Sequence, residues 1–214
     1  SLHDALPICF YGINSGIIAK GGATLVIKNA KIKTSAAGAN GVFSYGANNG
    51  TTNATGDGTT VKISNSTIKT TGDGSGGIMT TYGGTTIATN LKVSTKGGSS
   101  APIRTDRGGG WVTVKGGKYV SAGLGSPAIY STADVKVSKA TLVSKQSEGV
   151  CIEGQGSVAL TNCNLTANNT NTNGNATFCD TIMIYQSMSG DASDGTSSFT
   201  MKGGSLTSKN GHTF

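Results

Sequence analysis

Arg104, Asp106 and Glu153, with Arg107 beside them, are the side chains whose types suit chemistry on a glycoside. Hydrolysis of a glycosidic bond takes two carboxylates about 5–10 Å apart, one protonating the leaving oxygen and the other acting as base or nucleophile. Asp106 and Glu153 are the acids placed to form such a pair, and no Asp-Asp pair or acidic cluster accompanies them. A structural salt bridge among Arg104, Asp106 and Arg107 is the plainer expectation, so no catalytic residue is assigned; in an enzyme, Arg104, Asp106 and Glu153 would carry the reaction. Asp191 and Asp194, in Gly-Asp-Ala-Ser-Asp-Gly, could add calcium (Ca2+) ligands, but the run lacks EF-hand spacing and reads as a polar loop, so no cofactor is expected. Cys9, Cys151, Cys163 and Cys179 have no metal-ligand spacing. Cys163 reads as a small corner filler, whereas Cys151 and Cys179 approach one corner, where a disulfide could form.

A repeat would position these residues. Two apolar residues two apart, with a third five further on, recur seven times: Leu25/Ile27/Ile32, Val61/Ile63/Ile68, Thr86/Ala88/Val93, Val112/Val114/Tyr119, Val135/Val137/Leu142, Val158/Leu160/Leu165 and Phe199/Met201/Leu206. With p the first residue of each, alternation from p to p+2 predicts a short strand with one face inward. Position p+4 is Asn29, Asn65, Asn90, Gly116, Lys139, Asn162 or Gly203. All but Lys139 are types that tolerate left-handed backbone, so a sharp bend and a second strand, inward at p+7, are expected.

A third strand follows a polar turn, with inward residues at p+17: Val42, Ile78, Ile103, Ile129 and Ile152, and Ile17 and Ile184 as equivalents. Spacings between successive p positions are 36, 25, 26, 23, 23 and 41, a base unit of 23–26 residues with insertions. Such strands pair in parallel with the units before and after, ~4.8 Å away. The expectation is an all-β fold, a right-handed single-stranded parallel β-helix: a solenoid of about seven coils with three strands and three corners each. Asparagines at p+4, and Thr34, Thr70, Thr95, Ser121, Ser144 and Ser208 at p+9, should form ladders that satisfy polar groups at the corners.

Outward residues of the third strand are the richest chemically. Position p+18 gives Phe43, Met79, Arg104, Tyr130 and Glu153, flanked by Ile18 and Tyr185; p+20 gives Tyr45, Thr81, Asp106, Thr132 and Gln155, flanked by Lys20 and Ser187. Insertions 46–58, 167–178 and 186–197 leave corners beside this strand and should wall a groove along it. Phe43, Tyr45, Met79, Arg104, Asp106, Tyr130, Glu153 and Tyr185 are therefore expected to bind ligand, aromatics stacking on sugar rings and Arg or Asp holding hydroxyls or uronates. The same aromatics could equally be cross-coil contacts that stabilise the sheet. Asp106 and Glu153, two coils apart on this face, come out ~10 Å apart.

With its asparagine-lined bend and three strands per coil, the chain resembles the pectate-lyase-like family of right-handed parallel β-helices over residues 12–214. The resemblance implies a polysaccharide cleft on the third-strand face and, in a lyase, an arginine base beside calcium held by several acids, for which Asp106 and Glu153 are the candidates. The expected function is a non-catalytic secreted or cell-surface protein, bacterial and adhesin-like, presenting a stacked surface to a polysaccharide or cell-surface glycan. A polysaccharide lyase or glycoside hydrolase is the alternative.

Composition agrees with short strands and turns: 34 glycines in 214 residues, 13% charged, 6% aromatic, three prolines. The formal charge is +7, but the lysines run from Lys20 to Lys209 without three in a row. They read as solvated strand edges that resist aggregation, so no nucleic-acid partner is expected. No apolar run is long enough for membrane insertion. The Thr/Ser column at p+9 is single, which sets aside an ice-binding array. Residues 1–8, Ser-Leu-His-Asp-Ala-Leu-Pro-Ile, back-translate to a sequence that resembles a sequencing adaptor and are set aside as a scar. That removes His3 and Asp4 as ligands. Residues 9–214 form one domain, expected to continue at least beyond the C-terminus because the last repeat stops at Phe214 before its third strand.

Overall fold

A computed structural model of the chain describes residues 14–46, 55–169, 179–187, 190 and 192–212. Among these the regular elements are all strands, paired in parallel. Numbered along the chain, β1 (Ile17–Lys20), β4 (Val42–Tyr45), β7 (Ile78–Thr81), β9 (Ile103–Asp106), β11 (Ile129–Ser131), β14 (Val150–Glu153) and β16 (Ile182–Tyr185) form a seven-stranded sheet in that order. The other ten form a second sheet: β2 (Thr24–Lys28), β3 (Lys31–Thr34), β5 (Thr60–Ser64), β6 (Thr67–Thr70), β8 (Gly84–Thr95), β10 (Gly110–Ser121), β12 (Asp134–Ser138), β13 (Thr141–Ser144), β15 (Gly156–Ala167) and β17 (Ser197–Ser208).

The bend expected at p+4 is present in every repeat. Asn29, Asn65, Asn90, Lys139 and Asn162 have φ between 47° and 55°, and Gly116 and Gly203 have φ of 68°. Asn90 Nδ2 donates to Asn65 Oδ1 at 3.0 Å, one rung of the expected asparagine ladder. Three of the p+9 hydroxyls reach forward into the turn: Thr34 Oγ1 donates to Ala39 O (2.6 Å), Thr70 Oγ1 to Ser75 O (2.7 Å) and Ser144 Oγ to Ser147 O (3.0 Å). Each closes the turn that leads into the seven-stranded sheet, satisfying a carbonyl that no strand pairs.

The three-strand solenoid coil, a right-handed β-helix, is corrected by the pairing: there are two sheets, not three walls. In β8, β10, β15 and β17 the strand runs on through the left-handed residue, the pairing skipping that residue alone, so the two strands expected on either side of p+4 are one strand of 12 residues. β12 and β13 each lie between β10 and β15, so the pairings of these four close into a ring, β10–β12–β15–β13, with six further strands of the sheet attached. A single left-handed residue turns the backbone, and the β8–β10 and β15–β17 pairings resume directly after it.

The core lies between the two sheets. Val61, Ile63 and Ile68 from one repeat, and Val135, Val137 and Leu142 from another, are at most 2% exposed and meet Ile78, Ile103 and Ile129 of the seven-stranded sheet in one cluster. Each such side chain contributes about 1.5–3 kcal/mol by leaving water. Tyr119 is also fully buried, at a position where other repeats carry Ile, Val or Leu, and its hydroxyl has no hydrogen-bond partner among the described residues. Tyr119→Phe should therefore raise the unfolding free energy by about 1–2 kcal/mol, read from the urea midpoint; an unchanged or lowered midpoint would show that the hydroxyl is satisfied.

Register is the second correction. Ile129 pairs with Val150 and not with Ile152, whereas Ile152 pairs with Ile184 as expected. The interval from Ser144 to Val150 is two residues shorter than that from Ser121 to Ile129, so the deletion falls in this turn and every later side chain on the seven-stranded sheet moves two places.

Candidate functional site

The slip re-sorts the expected ligand face. Beside Tyr130 on the next strands lie Cys151 and Met183, where Glu153 and Tyr185 were expected. Glu153 and Tyr185 pair with each other, as their shared p+18 column predicts, but, continuing the register through Thr132, they fall into the column of Asp106. Asp106 and Glu153 stay two strand spacings apart, ~10 Å. The Cys151–Cys179 disulfide is corrected as well: both thiols are free, and Cys151 is buried within β14, away from any corner. Cys163, fully buried and donating toward Val137 O at 3.4 Å, is the small filler expected.

Both carboxylates are buried, Asp106 at 3% and Glu153 at 4% exposure. Asp106 accepts from Arg104 Nη2 at 2.8 Å and from the Arg107 backbone N–H at 3.0 Å. Arg104 Nη1 also donates to Gly74 O at 3.0 Å, tying the guanidinium to a neighbouring turn. Arg104–Asp106 is an ion pair of the expected kind, and the Arg107 backbone N–H donates to the same carboxylate. Glu153 accepts from the hydroxyls of Tyr130, Tyr185 (3.0 Å) and Ser187 (2.8 Å).

Burial, reinforced by nearby negative charge, pushes the Tyr130 and Tyr185 phenols well above the ordinary tyrosine range, so both stay protonated donors. Burial likewise raises the Cys151 thiol, with Glu148 and Glu153 adding to it. These groups hold one another in place. A cavity of about 210 Å³ does open beside Arg104 and Tyr130, between Ser99 and Pro127.

The stacking platform is corrected too. Phe43 and Met79 are 1% and 2% exposed and offer no face to a ligand. Tyr45 packs edge-on against Phe43 (centroids 5.6 Å, 68°) and against Tyr82 (5.2 Å, 79°). These are contacts that stabilise the sheet, worth about 0.5–1.5 kcal/mol per pair beyond burial.

A different aromatic is presented to solvent. Trp111 lies in β10 one residue before the inward Val112, so strand alternation points it outward, and it is 47% exposed. Its register partners on the following strands are Asp134, then Ser157, then Ser198, a polar strip beside the indole. Ser157 Oγ donates to Asp134 Oδ1 at 2.6 Å. Gly108, Gly109 and Gly110 all have positive φ, and a Cβ on Gly110 would stand 2.6 Å from Gly84 O, so only glycine brings the chain into β10 at this angle.

Trp111, Asp134, Gln155 and Ser157 line a groove of about 420 Å³, joined by Thr55 and Thr196 from two of the insertions. Described residues of the insertions 46–58 and 186–197 thus line the corner after the seven-stranded sheet; most of residues 46–58 and 167–178, and Asp191 of the calcium reading, lie outside the described residues. Among the described residues no three His, Cys, Asp or Glu side chains gather as metal ligands. The signal for Trp111 was in the sequence: it is the chain's one tryptophan, at an outward position directly after three glycines.

An apolar ring edged by a carboxylate, an amide and hydroxyls suits a pyranose, whose C–H face packs on the indole while its hydroxyls bond to the rim. No family model matches the chain, and no curated protein or solved structure does either.

Proposed function

We propose that this chain is a non-catalytic, secreted or cell-surface glycan-binding protein of bacterial adhesin type, which holds a sugar unit of a polysaccharide in the Trp111 groove. The exposed indole over a polar-rimmed groove carries the reading. The engagement of Asp106 and Glu153 by Arg104, Tyr130, Tyr185 and Ser187 supports a binding role over catalysis, since a general acid must reach the substrate oxygen.

On a glycan array, Trp111→Ala should lose about tenfold or more in affinity with the melting temperature within ~2 °C of the parent, because a half-exposed side chain contributes little to folding. Trp111→Phe should restore part of the binding. Full retention by Trp111→Ala would sink the assignment. The enzymatic reading keeps one observation, the shared column of Asp106 and Glu153 at ~10 Å. Release of reducing ends or unsaturated sugars from a pectin, alginate or xylan panel, abolished by Asp106→Asn, would establish it in place of the binding role.

A further inference from the structure

Ten of the fifteen lysines lie on the ten-stranded sheet: Lys28, Lys31, Lys33 and Lys202 on its edge strands β2, β3 and β17, where resistance to aggregation places them, and six on inner strands, where it does not. They stand on the outward face of the ten-stranded sheet in four columns. Lys28, Lys115 and Lys202 share one column and Lys62 and Lys136 the next, before the bend. After the bend, Lys31, Lys92 and Lys118 share a third and Lys33 and Lys69 a fourth. All ten are exposed, and the one acid on the described strands of this sheet, Asp134, sits at the start of β12 bonded by Ser157.

Lys33 lies directly opposite Lys69, and Lys92 directly opposite Lys118. Like charges on directly opposed residues of neighbouring strands, ~4.8 Å apart, destabilise a sheet. Nothing within the described strands offsets that cost, and such local conflicts mark functional surfaces.

We propose that this face docks an acidic polysaccharide, its uronate or sulfate groups lying against the lysine columns. The choice of a glycan over a nucleic acid rests in part on the Proposed function, and in part on the face itself. It carries no arginine and, apart from Trp111 at its margin, no exposed aromatic for base stacking. Between the lysines stand Thr67, Thr89, Thr113 and Ser138, hydroxyls that match the hydroxyl-and-anion pattern of a uronic-acid chain. Trp111 heads the strand that carries Lys115 and Lys118, so the groove and the cationic face adjoin.

The test uses the full chain on immobilised polygalacturonate, dextran sulfate, unmodified dextran and a DNA duplex. Polygalacturonate and dextran sulfate should retain the protein at low salt, release it as ionic strength rises past about 0.15 M, and leave dextran unbound. Lys69→Gln/Lys92→Gln/Lys118→Gln should weaken retention on the order of tenfold while its melting temperature stays equal or rises, since two like-charge oppositions are removed. Retention unchanged in the triple variant, or absent on both polyanions, overturns the proposal. Retention by duplex DNA alone overturns the glycan as its occupant. Binding to a neutral glycan that Trp111→Ala abolishes, with no polyanion bound, overturns this docking face and leaves the Trp111 reading intact.

Discussion

Above pH ~10 the folded protein should lose stability at about 4 kcal/mol per pH unit. Tyr119, Tyr130 and Tyr185 are held protonated in the fold far above the ordinary tyrosine value, chiefly by burial. The unfolded chain releases those three protons near pH 10 while the folded chain keeps them, so the unfolded state gains about 1.4 kcal/mol per pH unit per group. Below the unfolded tyrosine pKa the contribution is complete; it is lost progressively as pH climbs toward the folded values. The buried Cys151 thiol, raised above 9, works in the same direction. A domain stable by about 5–15 kcal/mol should then unfold within a few units. Urea unfolding at pH ~8, ~10 and ~11 measures the slope, and Tyr119→Phe should remove about a third of it. A stability flat to pH ~11 would contradict the burial of these phenols.

Glu153→Ala should cost about 3–5 kcal/mol, the largest loss expected from one substitution in the polar cluster. It strips the common acceptor from Tyr130, Tyr185 and Ser187, leaving three donors to find water in a site where Glu153 itself is 4% exposed. Stranding a buried donor costs about 1–3 kcal/mol, and water reaching the half-buried phenols recovers part of the sum. For a chain of this length the melting temperature should fall by about 10 °C. Glu153→Gln keeps the shape and an acceptor oxygen, so its loss should be under half as large. A change below ~2 °C in the alanine variant would show that Glu153 is not the hub.

Local backbone behaviour was legible in the sequence wherever p+4 is Asn or Gly; Lys139 is left-handed too, by its place in the repeat and not by its residue type. So were the inward positions, because period-two alternation with Val and Ile depends on nothing beyond the strand itself. Continuity of a strand through its bend was not legible. Whether Asn90 or Gly116 ends a strand depends on the ladders of the neighbouring repeats, which no single repeat encodes.

The register failed where a turn shortened between Ser144 and Val150. A two-residue deletion preserves alternation, so Ile152 looked as inward as Val150 and Glu153 was assigned to the wrong column. The burial of Phe43 and Met79 was invisible for a related reason: parity says which side of a sheet a residue takes, not what covers that side. Trp111 and the lysine columns were readable by parity alone, since Lys62, Lys92, Lys118 and Lys136 all stand at outward positions.

Trp111 is the chain's one tryptophan, so tryptophan emission reports on the groove without mutation or label. Titrating the full chain with a glycan that it retains on the array should shift the emission to shorter wavelength, saturate, and protect the indole from acrylamide quenching, as a sugar face replaces water over the ring. A retained glycan that leaves emission and quenching unchanged at saturation would contradict the account, because the polymer would then be held somewhere other than the groove.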